Sequence, residues 1–262
     1  MAPKYERIAT RLRQMIRTGE LDPGQRLPAE TELAATFDVS LPTLRQAVKV
    51  LRSEGLLEAR HGVGTFVRPQ RHRTQRHNSR HQWEKDRARL PEEERRQTGT
   101  TEYDTGLKIN DLAFWAKYTV TAADSDLAEV FKVPVGTTLL QRDYRTRKGA
   151  EAPFGLSRSY LPYDLVKTNP DLLEDAREPW PGGTQHQLLT LGIELDAIVD
   201  TVTARPPTIE EQTELDIHTG IAVLVVRKTS IDTTGRVVEV ADIIWPGDRT
   251  ELIFETKLER WK

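Results

Sequence analysis

The 262-residue chain contains no cysteine. That absence excludes disulfides, thiolate metal centres and cysteine nucleophiles. No apolar run approaches the roughly 18 residues of a membrane-spanning helix, so no membrane partner is expected. The opening stretch, MAPKYERIATRLRQMI, has no apolar core of signal-peptide length, and a cytoplasmic location is expected. Aromatic residues make up only 6% of the chain. No HExxH, nucleophile elbow or acid/base carboxylate pair stands out, so the motifs point to no catalytic centre, metal or cofactor.

What is present is unevenly placed. The net charge is −2, but residues 1–90 hold 18 Lys/Arg against 10 Asp/Glu, whereas 91–262 hold 20 against 30. A basic front and an acidic rear suggest a polyanion-binding module joined to one with another task. At 262 residues, about two domains are expected.

In the front module, YERIATRLRQMIRTG puts Ile8, Leu12, Met15 and Ile16 at helical spacing, and Gly19 ends the helix. AETELAATF is a short second helix, and DVS is a tight turn. LPTLRQAVKVLRSEG is a third helix, with Ser40 placed to cap it and Pro42 tolerable in its first turn. Leu44, Ala47, Val48 and Leu51 face inward, while Thr43, Arg45, Gln46, Lys49 and Arg52 face out. Helix, turn and helix with polar groups at the start of the second is an arrangement that meets base edges in the major groove. LLEARHGVGTFV follows. A phosphate-binding glycine loop stands between a strand and a helix. Here β-favouring residues flank HGVG on both sides, so Gly62 and Gly64 are read as a hairpin tip, a wing from which Arg60 and His61 reach DNA.

These residues resemble the winged-helix DNA-binding domain of GntR-family bacterial transcription regulators, over about residues 4–68. The resemblance implies DNA contacts from Thr31, Ser40, Leu41, Pro42, Thr43, Arg45, Gln46, Lys49 and the wing. The family commonly has arginine where this chain has Leu41, and some members have arginine at Thr31. Leu41 is therefore expected to make an apolar contact to a base. Winged-helix repressors of this kind bind pseudo-palindromic double-stranded DNA as homodimers.

Residues 70–112 are charged and poor in aliphatics, and are expected to be an extended linker. His72, His77 and His81 recur along it, but without matching carboxylates or cysteines they are read as a solvated tail rather than a metal site. Trp83 is one large ring in a polar stretch and is expected to dock on something. Residues 82–106 are also similar to GntR-type regulators of actinobacteria, some of which control plasmid transfer.

From about residue 113 the chain repeats itself. Gly136 and Gly220, Leu139 and Val223, and Pro162 and Pro246 share one offset of 84 residues. Asp124 caps the helix of one copy, and Thr208 with Glu211 forms a capping box in the other. Two such copies predict one α+β domain with a mostly antiparallel sheet, an approximate two-fold relation and a pocket between halves. This half resembles the UTRA effector-binding domain of the HutC-type branch, which shares its fold with chorismate lyase. The expected organisation is thus a winged helix-turn-helix domain over 1–69, a linker over 70–112, and a UTRA-type effector-binding and dimerisation domain over 113–262. The resemblance implies an anion-binding pair at Arg145 and Arg147, and further ligand contacts from Thr184, His186, Glu239 and Trp245. The cations favour an acidic effector. The alternatives are a ligand-independent DNA-binding protein whose rear domain only dimerises, and a lyase-like enzyme using His186 with Glu239.

Overall fold

The computed structural model describes residues 2–69, 73–218 and 220–260, which divide into two compact units. The first unit comprises the front of the chain together with Pro206–Ala222. Helices α1 (Lys4–Thr18), α2 (Glu30–Thr36) and α3 (Leu41–Ser53) precede a two-stranded antiparallel wing, β1 (Leu57–Arg60) and β2 (Gly64–Val67). Ile8 and Leu12 of α1 meet Leu33 of α2 and Leu44, Val48 and Leu51 of α3 in one core, as the helical spacing predicts. Gly19 ends α1 in a left-handed conformation with φ 78°, which glycine adopts without a side-chain clash.

Pro206–Ala222 includes helix α10 (Ile209–Leu215) and packs with this unit rather than with the rear one. An Arg68 guanidinium N–H donates to the Asp216 carbonyl, and Ile221 lies against Gly55.

The second unit is built on a six-stranded antiparallel sheet in the order β4-β5-β6-β9-β8-β7. Its strands are β4 (Leu112–Ala122), β5 (Thr138–Lys148), β6 (Leu156–Pro162), β7 (Leu195–Arg205), β8 (Val223–Asp232) and β9 (Val237–Pro246). The order is symmetric about β6-β9, so the repeat in the sequence is the two-fold relation of the sheet. The correspondence reaches single side chains. Asp143 faces Arg158 across β5-β6 at 2.6 Å, and the equivalent pair Arg227 and Asp242 faces across β8-β9 at 2.7 Å with the charges exchanged.

Helix α7 (Ser125–Phe131) is capped by Asp124, whose carboxylate accepts the Leu127 N–H at 2.8 Å. It packs on one face of the sheet against Leu139 and Val240. Leu140 and Val238 join a different core, with α8 (Tyr163–Val166) and α9 (Gly183–Thr190). The capping box at Thr208 and Glu211 is present, and its α10 is the sequence equivalent of α7.

The expected extended linker is folded from Thr74 onward. Strand β3 (Thr74–His77) pairs in parallel with β10 (Thr250–Ile253), and α4 (Arg80–Arg87), α5 (Glu92–Gln97) and α6 (Thr100–Thr105) follow. The stretch reads as a linker because its buried groups are charged: Arg80 meets Asp104 at 3.2 Å with both side chains about nine-tenths hidden. Trp83 stacks on Tyr103 with ring centroids 4.4 Å apart, the docking expected of it. His72 lies outside the described residues. His81 pairs with Asp200 at 2.8 Å, and among the described residues no group of three metal-ligating side chains occurs. No described helix is long and apolar enough to cross a membrane.

Candidate functional site

The DNA-facing candidates lie at the start of α3, in α2 and on the wing. Ser40 occupies the cap position of α3, but its hydroxyl hydrogen-bonds the Thr43 hydroxyl at 2.9 Å instead of accepting a backbone N–H. Pro42, Arg45, Gln46 and Lys49 are exposed, as is Thr31 on α2. Arg45 donates through Nε to Glu30 at 2.7 Å while its side chain stays 64% exposed, so this ion pair exchanges readily for a DNA contact. Leu41 is half-buried, with part of its side chain packed against the hydrophobic core.

At the wing, Arg60 pairs with Glu58 at 2.7 Å and lies over the Phe66 ring at 4.2 Å. The Arg60 side chain still stays 51% exposed, and His61 and Val63 at the tip are exposed beside it. Gly62 has φ 71° and Gly64 has φ 142°, and a Cβ on Gly64 would stand 2.8 Å from Arg26 Nε. Both glycines are required by the turn, as the hairpin reading expects.

The second unit holds a cavity of about 730 Å³ on the α9 side of its sheet. Tyr144, Ser157, Ser159, Lys228, Glu239, Ala241, Ile243 and Trp245 come from the strands. Phe154 and Trp180 add aromatic surface, and Arg76, Arg80 and Arg87 enter from β3 and α4.

The buried pair Arg142 and Glu239 underlies this cavity at 3.2 Å. Arg142 also donates to Gln187, to Ser159 at 3.0 Å and to Thr184 at 3.2 Å. Glu239 accepts from the Ser159 and Ser230 hydroxyls at 2.7 and 3.0 Å and from Lys228 at 2.8 Å. Burial alone would raise its carboxyl, but Lys228, Arg142 and the hydroxyls outweigh that and hold it at about 2. Such a carboxylate stays ionised near neutrality and offers no proton.

Thr184, Glu239 and Trp245 line the cavity as the resemblance implied. His186 does not line it: its Nδ1 accepts the Trp180 indole N–H at 2.8 Å, and burial pulls its pKa down. His186 and Glu239 are therefore not assembled as an acid/base pair. Arg145 and Arg147 do not line the cavity either, because side chains alternate along β5. Tyr144 and Thr146 turn to the cavity, whereas Arg145 lies over Trp115 at 5.7 Å and Arg147 is exposed.

Reading the sequence missed Arg142, Lys228 and the arginines of 74–87. The alternation on β5 was the available signal, but adjacent Leu139 and Leu140 are both buried and hide which face is which.

The family model described as "Bacterial regulatory proteins, gntR family" matches residues 4–67, and the UTRA domain model matches residues 114–251. The chain is a GntR-family regulator with a UTRA domain. This regulator is 27% identical to the histidine utilization repressor of Klebsiella aerogenes, over 96% of this chain and 93% of the relative. It is 25% identical to the transcriptional repressor NagR of Bacillus subtilis, over 94% and 92%. A solved GntR-family transcriptional regulator superposes with TM-score 0.64 at 25% identity, over 98% of both chains. The regulator is thus a transcriptional repressor of the GntR/HutC type, with a winged helix for DNA and an effector-binding domain behind it.

Proposed function

We propose that this regulator acts in the cytoplasm as a homodimer on a pseudo-palindromic operator, and that a small acidic effector in the rear cavity modulates its binding. The observation that carries the reading is the cavity itself. It combines aromatic and strand surface from the UTRA match with arginines that are nine-tenths buried and come from β3 and α4, ahead of that match. Exposed Thr31, Pro42, Arg45, Gln46, Lys49, Arg60 and His61 are the DNA-facing groups, with Leu41 half-exposed at the start of α3, Thr43 set by its bond to Ser40, and Gly62 and Gly64 shaping the wing. The effector shifts operator affinity only by as much as its own affinity differs between the DNA-competent and DNA-incompetent states.

The test is operator affinity at fixed salt, with and without a panel of organic acids. A change with at least one acid supports the effector reading. Equal affinity across the panel, with the dimer intact, supports a rear domain that only dimerises. The likeness of residues 82–106 to the actinobacterial regulators supports a place among plasmid-transfer genes, which mapping bound DNA in cells would test.

A further inference from the structure

The cations of the cavity that lack full partners come from a stretch lying between the two family matches, in β3 and α4. Arg76 is 8% exposed. Its guanidinium lies over the Trp245 ring at 4.6 Å, and among the described residues it forms no ion pair with a carboxylate. Burial, and then the neighbouring Arg80, push Arg76 down to about 10. Arg80 reaches Asp104, yet its Nε is buried with no hydrogen-bond partner. Lys228 gives one N–H to Glu239 and has two others. Asp200 stands opposite Lys228 in the sheet, and both Arg76 and Lys228 lower its pKa, which locates the two cations in one neighbourhood. A buried guanidinium without a hydrogen-bonded anion is costly, and a carboxylate accepts from it in two places at once.

Carboxylates face the same cations. Arg80 has Asp104, Arg142 and Lys228 share Glu239, and Asp104, Asp200 and the buried Glu84 act on Arg76 through space rather than through a hydrogen bond. The surface beside Arg76 is apolar, formed by Ala241, Ile243 and Trp245.

We propose that the effector is an organic acid with one anionic group and an apolar body. Arg76 and Arg80, with Lys228, hold the anionic group, and Ile243 and Trp245 bear the body. This rests on the reading of the cavity as the effector site. It moves the anion contact from the β5 arginines to a stretch outside both family models.

The test is thermal melting of the full chain with phenylacetate, with its uncharged twin phenylacetamide, and with inorganic phosphate at matched ionic strength. Wild type should melt higher with phenylacetate, by about 3 °C at ten times the dissociation constant. Phenylacetamide and phosphate should not reproduce the rise. Arg76→Met should abolish it and Arg76→Lys should retain part. Without any probe, the Arg76→Met and Arg76→Lys melting points serve as the references for their own shifts, since Asp104, Asp200 and Glu84 also act on the charge that Met removes.

If Arg76→Met responds like wild type while the cavity-filling Ser157→Phe does not, the Arg76 assignment is overturned and the effector reading stands. A rise with phosphate equal to that with phenylacetate overturns the apolar body. No rise in wild type overturns the ligand class, and the effector reading is then decided by the operator panel alone.

Discussion

Arg142 on β5 and Glu239 on β9 are 97 residues apart in the chain and 3.2 Å apart in the fold, each side chain 2% exposed. The pair is bridged by the Ser159 hydroxyl, which donates to Glu239 and accepts from Arg142. Removing Arg142 leaves Glu239 only Lys228 and two hydroxyls, and strips Gln187, Ser159 and Thr184 of their shared donor. Arg142→Ala should therefore destabilise the rear unit by roughly 3–5 kcal/mol, read by urea unfolding. A loss below about 1 kcal/mol, as for an exposed pair, would contradict the burial argument.

The same carboxylate sets an acid limit. Its folded pKa of about 2 lies below its ordinary value of 4.5, so its contribution is fully present above pH 4.5 and is lost as pH falls through about 2. Wild type should lose stability between pH 5 and pH 2.5. Glu239→Gln should start less stable and show a shallower loss over that window. Parallel slopes for the two proteins would assign the acid sensitivity elsewhere.

Arg45 is the exposed guanidinium of α3 that faces Glu30. Arg45→Ala should weaken specific operator binding by roughly 1–3 kcal/mol and relax one base position. A uniform loss on all sequences, with a smaller salt slope, would instead make it a phosphate contact.

Gly64 holds φ 142° beside the Arg26 side chain. Gly64→Ala should distort the wing and reduce operator affinity, while far-UV circular dichroism and the rear unit's melting stay close to wild type. Undiminished affinity would remove the wing from the interface.

Arg147 is exposed and outside the cavity lining. Arg147→Ala should leave both operator affinity and the effector response unchanged. A lost response would return the anion contact to the β5 arginines.

Much of this fold is legible in the residues. The three front helices declare themselves by apolar spacing and by glycine stops at Gly19 and Gly55, because one core face and a positive φ are local requirements. The repeat at offset 84 anticipates a symmetric sheet, because the same caps and turns recur in each copy. The site was less legible. Residues 74–105 hide their burial in ion pairs and in one Trp83–Tyr103 stack, so a hydrophobic pattern is absent where structure is present. Glu239 was found but its task was not, since its four partners come from β5, β6 and β8. Pro206–Ala222 belongs to the repeat in sequence and to the front unit in space, and no local pattern announces that.

The most direct test of the account is to select binding sites from randomised duplexes with the full chain. The account predicts a two-fold symmetric consensus, with half-sites about 10 base pairs apart or a multiple of that. No enrichment, or a single asymmetric site, would contradict a dimeric regulator that reads DNA through α3 and the wing.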